Sequence, residues 1–353
     1  MSLWTIETGA EMQPEPLEWL WPGYLPRGKL VILDGDPGIA KSVVTIDVIS
    51  RLSRGGPLPD GTPPREAFTS AILSAEDGRS DTILPRAEAA GADLSRLILP
   101  RFHRLPQFPK DLPALAELIV DRAPALVVID PLMAFLPPRV AANLDQCARQ
   151  ALTPMAELAE WTRCTILMLR HLTKKWSWRA VLRGQGSIGI AAAARTGLFA
   201  GPHPDDPAAR VLAVPKTNLA VTPPALGYRV VSSPTGQPVV EWTGPVEVTA
   251  DALGAPKKAE KGVKMADRAV DWLSRELASG PRKSADIHAA AAAAGIPERT
   301  LRRAKDWLPA KSHRLHDLKA ERSEWWWYDP AAAWPKPAPF KKPDPFEMPP
   351  LEW

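Results

Sequence analysis

Leu30-Val31-Ile32-Leu33-Asp34-Gly35-Asp36-Pro37-Gly38-Ile39-Ala40-Lys41-Ser42 sets the architecture of this chain. Four apolar residues, Leu30 to Leu33, lead a strand that closes at Asp34, a Gly-rich turn follows, and Lys41-Ser42 opens a helix marked by Val43, Val44, Ile46, Asp47, Val48, Ile49 and Leu52. A strand, a tight loop and a helix N-terminus in this order direct consecutive backbone N–H groups at one point, which suits a polyphosphate. Gly35, Asp36, Pro37, Gly38, Ile39, Ala40, Lys41, Ser42 and Val43 are therefore the expected nucleotide contacts. Lys41 would reach the β- and γ-phosphates and Ser42 would ligate Mg²⁺. Ala40 stands where the G-x-x-x-x-G-K-[ST] pattern has its second glycine, and its Cβ would crowd the approach to the phosphate.

Around this stretch, strands alternate with helices. Strands are expected at Lys29–Asp34, Ser70–Ala75, Leu126–Asp130 and Thr165–Arg170, and helices near Ser42–Arg54, Asp81–Ala90, Leu112–Arg122 and Asp145–Thr162. Nearly continuous apolar strands separated by helices predict an α/β fold, a mainly parallel sheet covered on both faces. Thr196–Ala200, Val211–Pro215 and Tyr228–Val231 read as an added, partly antiparallel edge. The leading segment, residues 1–28, carries Trp19 and Trp21, expected to pack on the core or on a neighbouring subunit.

The organisation expected is an α/β core over 1–243, a linker over 244–262, a small helical unit over 263–329 and a Pro-rich disordered tail over 330–353. In the small unit Ser284 is expected to cap a second helix and Pro297 to open a third. On that third helix Leu301, Ala304 and Leu308 share one side, and Arg299, Arg302 and Arg303 the opposite one. His313–Leu318 and Ser323–Tyr328 suggest a hairpin, which completes the order of a winged helix-turn-helix.

The chain has 353 residues and a net charge of +4. The charge is uneven: Lys257 to Arg322 carries 16 Lys and Arg against 9 Asp and Glu. A basic segment of this kind is the electrostatic footprint of nucleic-acid binding, and the third helix has the face to approach a major groove. A protein-docking unit is the alternative. No apolar run approaches a membrane span, so a cytoplasmic protein is expected. The two cysteines, Cys147 and Cys164, exclude a disulfide framework, and no Cys/His cluster has zinc spacing.

Three strand ends carry further chemistry. Asp130 closes an apolar strand and would orient Mg²⁺. Glu76, in Ser74-Ala75-Glu76-Asp77, lies where a parallel strand meets the ligand crevice and could activate water as a general base; a surface-loop acid is the alternative. His171 follows Leu167-Met168-Leu169-Arg170 and would lie near the γ-phosphate. Beyond it, Lys174, Lys175, Arg179 and Arg183 lead into Gly184-Gln185-Gly186-Ser187. This basic, Gly-rich stretch is expected to be mobile and to contact phosphates, including those of a DNA strand; a solvated loop is the alternative. Trp176 and Trp178 interleave the cations there, as base-stacking side chains would; packing under the loop is the alternative.

The ordered set GDPGIAKS, LSAED, LVVIDP, LRHLTKK, LRGQGSIG, AAARTGLF and VPKTNLA resembles RecA-like P-loop ATPases of the plasmid and phage replication helicase RepA type. The resemblance spans about Trp19 to Val231. It implies a hexameric ring, ATP and Mg²⁺ between subunits, and single-stranded DNA in the central channel. By position, Glu76 resembles the catalytic glutamate, Asp130 the metal-linked aspartate and His171 the γ-phosphate sensor. Arg86 falls at a phosphate-contacting arginine, Arg195 at an arginine finger from the neighbouring subunit, and Lys216 at a second trans-acting cation; a structural salt bridge is the alternative for each. The small basic unit lies outside the resemblance and would recruit the ring to duplex DNA. The other reading is a weakly hydrolysing or inactive ATPase, crippled by Ala40, acting as a DNA-binding regulator or loader. A metabolic kinase would leave the basic unit unexplained. The last ten residues, Asp344 to Trp353, alternate acids with large apolar groups and read as an inert tail, with docking into a partner protein's groove as the alternative.

Overall fold

The computed structural model describes residues 8–63, 66–137, 145–173, 177, 179–253, 265–308, 310–317 and 322–330. The chain divides into two compact units, Met1–Lys257 and Lys258–Trp353. The expected tail after Pro330 and the Trp176/Trp178 pair lie outside the described residues.

In the first unit β1 (Trp19–Trp21) and β2 (Leu25–Pro26) form a short antiparallel pair. The remaining strands are β3 (Leu30–Gly35), β4 (Ser70–Ser74), β5 (Leu97–Ile98), β6 (Leu126–Asp130), β7 (Thr165–Arg170), β8 (Thr196–Pro202), β9 (Arg210–Thr217), β10 (Ala225–Ser232) and β11 (Pro238–Val246). They make a nine-stranded sheet in the order β11-β10-β9-β8-β3-β7-β6-β4-β5. Pairing is parallel from β5 to β8 and antiparallel from β8 to β11. Helices α1 (Lys41–Arg54), α2 (Leu84–Ala89), α3 (Leu112–Arg122), α4 (Asp145–Thr162) and α5 (Ile188–Ala193) connect these strands. The expected helix near Asp81–Ala90 is a π-helical turn, Arg79–Ile83, running into α2.

The sheet is buried on both faces because its central strands are apolar on both faces over most of their length. In β3, Val31 and Leu33 join the core with Val44, Ile46 and Ile49 of α1. Leu30 and Ile32 face the other way, in the core with Leu152 and Met155 of α4. The period-2 alternation of side chains thus feeds two cores from one strand. Trp21 stacks on Tyr24 at 4.1 Å, and both are buried in this unit's own core.

Two expectations are corrected here. Residues 244–262 do not begin as a linker: β11 continues to Val246, and Ala250 and Leu253 are buried against Phe199 and Val211. The sequence around Gly244 lacks an apolar alternation, so the strand gives no periodic signal. In the second unit, Ser284 is not a cap. It is the first residue of a helix whose cap position holds Lys283, with no side-chain capping bond.

That unit contains α6 (Met265–Ala278), β12 (Arg282–Lys283), α7 (Ser284–Ala293), α8 (Glu298–Trp307), β13 (Lys311–Asp317) and β14 (Arg322–Tyr328). Its strands pair antiparallel in the order β12-β14-β13. Ala269, Leu273, Leu277, Ile287, Leu301 and Trp327 form its core. Among the described residues no helix is long and apolar enough to cross a membrane.

Candidate nucleotide site

The loop after β3 stands at the C-terminal edge of the parallel strands, where an open α/β sheet places its ligands. Asp36, Pro37 and Gly38 are exposed there, while Ile39 and Lys41 turn inward. Gly38 has φ 79° and the next-but-one residue, Ala40, has φ 66° and ψ 35°. The position expected to crowd a phosphate is thus also strained in its backbone, since a left-handed conformation costs an L-residue with a Cβ roughly 1–2 kcal/mol. The N–H groups of Lys41, Ser42 and Val43 belong to the first turn of α1, whose donors have no intrahelical acceptor. The Val43 side chain itself lies in the core. From behind, Tyr228 Oη donates to the Ile39 carbonyl at 2.8 Å.

Lys41 Nζ donates to the carbonyls of Gly35 and Asp36 at 2.8 and 3.0 Å. It also lies 3.4 Å from Nδ1 of His171. The other ring nitrogen of His171 is 3.9 Å from a Glu76 carboxylate oxygen. The three side chains expected to do the chemistry, from three different strand ends, therefore form one row. Burial pushes the Lys41 ammonium below its ordinary value, against the pull of Asp130, Asp36, Asp34 and Glu76.

Ser42 Oγ donates to Asp130 at 2.6 Å. Burial raises the Asp130 carboxyl above its ordinary value; the Ser42 bond opposes this, and the neighbouring Asp77 reinforces it. A cleft between Ser42, Ser74, Asp77 and Asp130 opens beside this pair. The donors are hard oxygens, as Mg²⁺ requires. No group of three or more His, Cys, Asp or Glu that could hold a metal occurs among the described residues. The site therefore fits an ion that takes most of its ligands from phosphate and water, with Ser42 and Asp130 holding one side.

Other expected site residues sit elsewhere. Arg86 is paired with Asp77 at 3.0 Å, at the rim of the same cleft. Arg195 is exposed, and its N–H donates to Leu30 O at the opposite end of β3 from the loop. Lys216 points away from the loop too, donating to the carbonyls of Ala191 and Ala194 at the C-terminus of α5. Burial and Arg195 lower its ammonium. Arg179 is exposed, and Lys174 and Lys175 lie outside the described residues.

Arg183 requires correction. It is 3% exposed, not solvated. Its guanidinium donates to the carbonyls of Ser177, Leu253 and Asp251 and lies over the Phe199 ring. These partners leave it turned into the protein rather than toward a phosphate. In the second unit Arg299, Arg302 and Arg303 are exposed, as the helical spacing predicts. Arg302 pairs with Glu298 at 2.6 Å, and Arg303 lies over Trp307.

Sequence reasoning missed Asp77, Tyr228 and the buried pair Asp34–Arg170. Asp77 follows Glu76 and carried a signal; the other three depend on contacts far apart in the chain.

No curated protein matches the chain. Residues 2–177 match the sequence model of a family described as AAA domain, a span that takes in the Lys41 loop, Glu76, Asp130 and His171 but stops short of Arg195 and Lys216. Over this stretch the chain is similar to nucleotide-binding P-loop domains of the AAA/RecA-like ATPase type.

Proposed function

We propose that the chain is an ATP-driven DNA-binding motor, a RepA-type helicase working as a hexameric ring. The observation that carries the hydrolytic part is the row Lys41–His171–Glu76 beside the Ser42–Asp130 pair. Lys41 and the α1 N–H groups hold the triphosphate, Ser42 and Asp130 hold Mg²⁺, and Glu76 takes the proton of the attacking water. The bound metal supplies charge neutralisation at the phosphates. His171 touches both the phosphate-binding lysine and the base, so it is placed to register the γ-phosphate.

Arg195 and Lys216 suit action on a neighbouring copy. Along the sheet Arg195 is level with Leu30 and Lys216 with Ile32, about 17 and 10 Å from Gly35 at roughly 3.3 Å per residue, and the Lys216 ammonium points away from the loop to the α5 carbonyls. Lys216 would have to leave the α5 carbonyls to act. Arg86 would exchange Asp77 for phosphate. On this reading the second unit is a winged helix whose Arg299, Arg302 and Arg303 face meets duplex DNA, while Arg179, with Lys174 and Lys175, meets the single strand.

A second reading has one observation behind it, the left-handed Ala40. A strained loop that grips phosphate poorly would make the protein a DNA-binding regulator or loader that uses ATP only as an assembly switch. DNA-stimulated ATP hydrolysis by wild type, Ala40→Gly and Lys41→Ala separates the two. Activity in wild type that disappears in Lys41→Ala supports the motor; activity that emerges only in Ala40→Gly supports the regulator. The oligomer's mass with and without ATP and single-stranded DNA tests the ring.

A further inference from the structure

One buried ion pair links the nucleotide loop to the Gly-rich loop. Arg170 closes β7, and its register partner on β3 is Asp34, the residue before Gly35. Nε and Nη2 of Arg170 donate to the two Asp34 oxygens at 2.7 and 2.8 Å. The Arg170 side chain is 1% exposed and that of Asp34 7%. The third guanidinium nitrogen, Nη1, donates to Gln185 O at 3.0 Å.

The Gly-rich loop is built around this guanidinium. Leu172 and Gly184 form an antiparallel bridge, Gln185 N donates to His171 O at 2.7 Å, and Thr173 N donates to Arg183 O at 2.8 Å. A Cβ on Gly184 would fall inside the Arg170 guanidinium. Gly184 is therefore a glycine for space, and the loop base is not the freely mobile stretch that its composition suggests. The contacts run without a break: Lys41 Nζ to Gly35 O, then Asp34, Arg170 and Gln185.

We infer that Arg170 is a positioning residue that ties the base of the 183–187 loop, and His171 beside it, to the root of the nucleotide-binding loop. A planar fork is required, because lysine cannot hold both Asp34 oxygens and the Gln185 carbonyl at once. Lys41 withdrawn from Gly35 by phosphate would shift the strand end that Asp34 shares, and Arg170 would carry the shift to Gln185. This last step rests on the ATPase reading; the positioning itself does not.

Hydrogen–deuterium exchange on the full-length chain tests both. Arg170→Lys and, separately, Gly184→Ala are expected to speed exchange of the 183–187 amides about tenfold, the equilibrium factor of one charge-assisted hydrogen bond, while β3 stays protected. Gly184→Ala keeps the guanidinium and its Asp34 partner in the sequence, so it decides if Arg170→Lys fails to fold. Adding Mg²⁺-ATP should slow exchange of the same amides in wild type but not in the variants, with ATP affinity changed less than about threefold and kcat reduced about tenfold or more. Wild-type exchange rates at 183–187 in both variants would overturn the positioning role. Equal protection by ATP in wild type and variants would overturn the coupling. A wild type that binds no ATP would sink the ATPase reading, and the nucleotide-free exchange would still decide the role of Arg170.

Discussion

The hydroxyl of Tyr228 donates a 2.8 Å hydrogen bond to the carbonyl of Ile39, across 189 residues of sequence. The antiparallel edge of the sheet thereby holds the nucleotide loop from the side away from solvent. Trp242 adds to this support, donating to Asp47 of α1 at 2.7 Å. Tyr228→Phe keeps the packing and loses one neutral bond, so stability should fall by about 1 kcal/mol. ATP affinity should weaken several-fold with kcat little changed, as measured by equilibrium binding and steady-state hydrolysis.

Ala40, next to Ile39, is expected to be better as glycine. Its left-handed φ of 66° costs about 1–2 kcal/mol, while glycine adds about 0.4–1 kcal/mol of unfolded-state entropy. The difference favours Ala40→Gly by roughly 0.5–1 kcal/mol in chemical denaturation. Hydrolysis should rise rather than fall. A variant less stable than wild type would show that the left-handed conformation carries no strain here.

Glu76→Gln should leave ATP binding intact and reduce hydrolysis by about 10²–10⁴, the usual loss of a general base. His171→Ala should reduce hydrolysis also, because it removes the side chain that lies against both Lys41 and Glu76. Single-turnover measurements separate this from a loss of binding. A fall in affinity equal to the fall in rate would argue against both roles.

The acid side of the Mg²⁺ dependence should follow Asp130. Its carboxyl is held above the ordinary 3.8 by burial, so it keeps its proton to higher pH than a free aspartate. The folded state therefore binds that proton preferentially: its stabilising effect is present in acid and lost as pH rises through the raised value. Mg²⁺ needs the carboxylate, so metal affinity rises over the same interval. Acidification should weaken Mg²⁺-dependent ATP binding at a pH where an ordinary aspartate is still charged, and Asp130→Asn should abolish that limb. Lys41, lowered by burial, should lose its charge below the ordinary 10.5 and bound the alkaline side.

The arginines should divide by burial. Alanine at Arg299, Arg302 or Arg303 should reduce the slope of log K against log salt for duplex binding by about one each, with little change in stability. Arg183→Ala should leave that slope alone and cost about 2–4 kcal/mol, because it strips three backbone carbonyls of their donor.

Much of the core was legible because its signals are local. An apolar strand, a turn rich in glycine and a helix opening with Lys41-Ser42 occur within one short stretch, and β6 and β7 announce themselves by apolar runs ending at Asp130 and just before His171. Residues at the C-terminal ends of parallel strands converge whatever the intervening lengths, which is why Lys41, Glu76, Asp130 and His171 could be named together. The amphipathic α8 was legible for the same reason: Leu301 and Ala304 inward, Arg299, Arg302 and Arg303 outward.

The sequence by itself determined the central parallel strands β3, β4, β6 and β7 and the helices α1, α3, α4 and α8, because periodicity and turn composition act over a few residues. Only the tertiary structure decided which charges are buried. Arg170 finds Asp34 across 136 residues, and Arg183 finds the Asp251 and Leu253 carbonyls about 70 residues on. A cation beside glycines reads as solvated until the partners that compensate its desolvation are placed, and those partners are brought together only by the packed sheet.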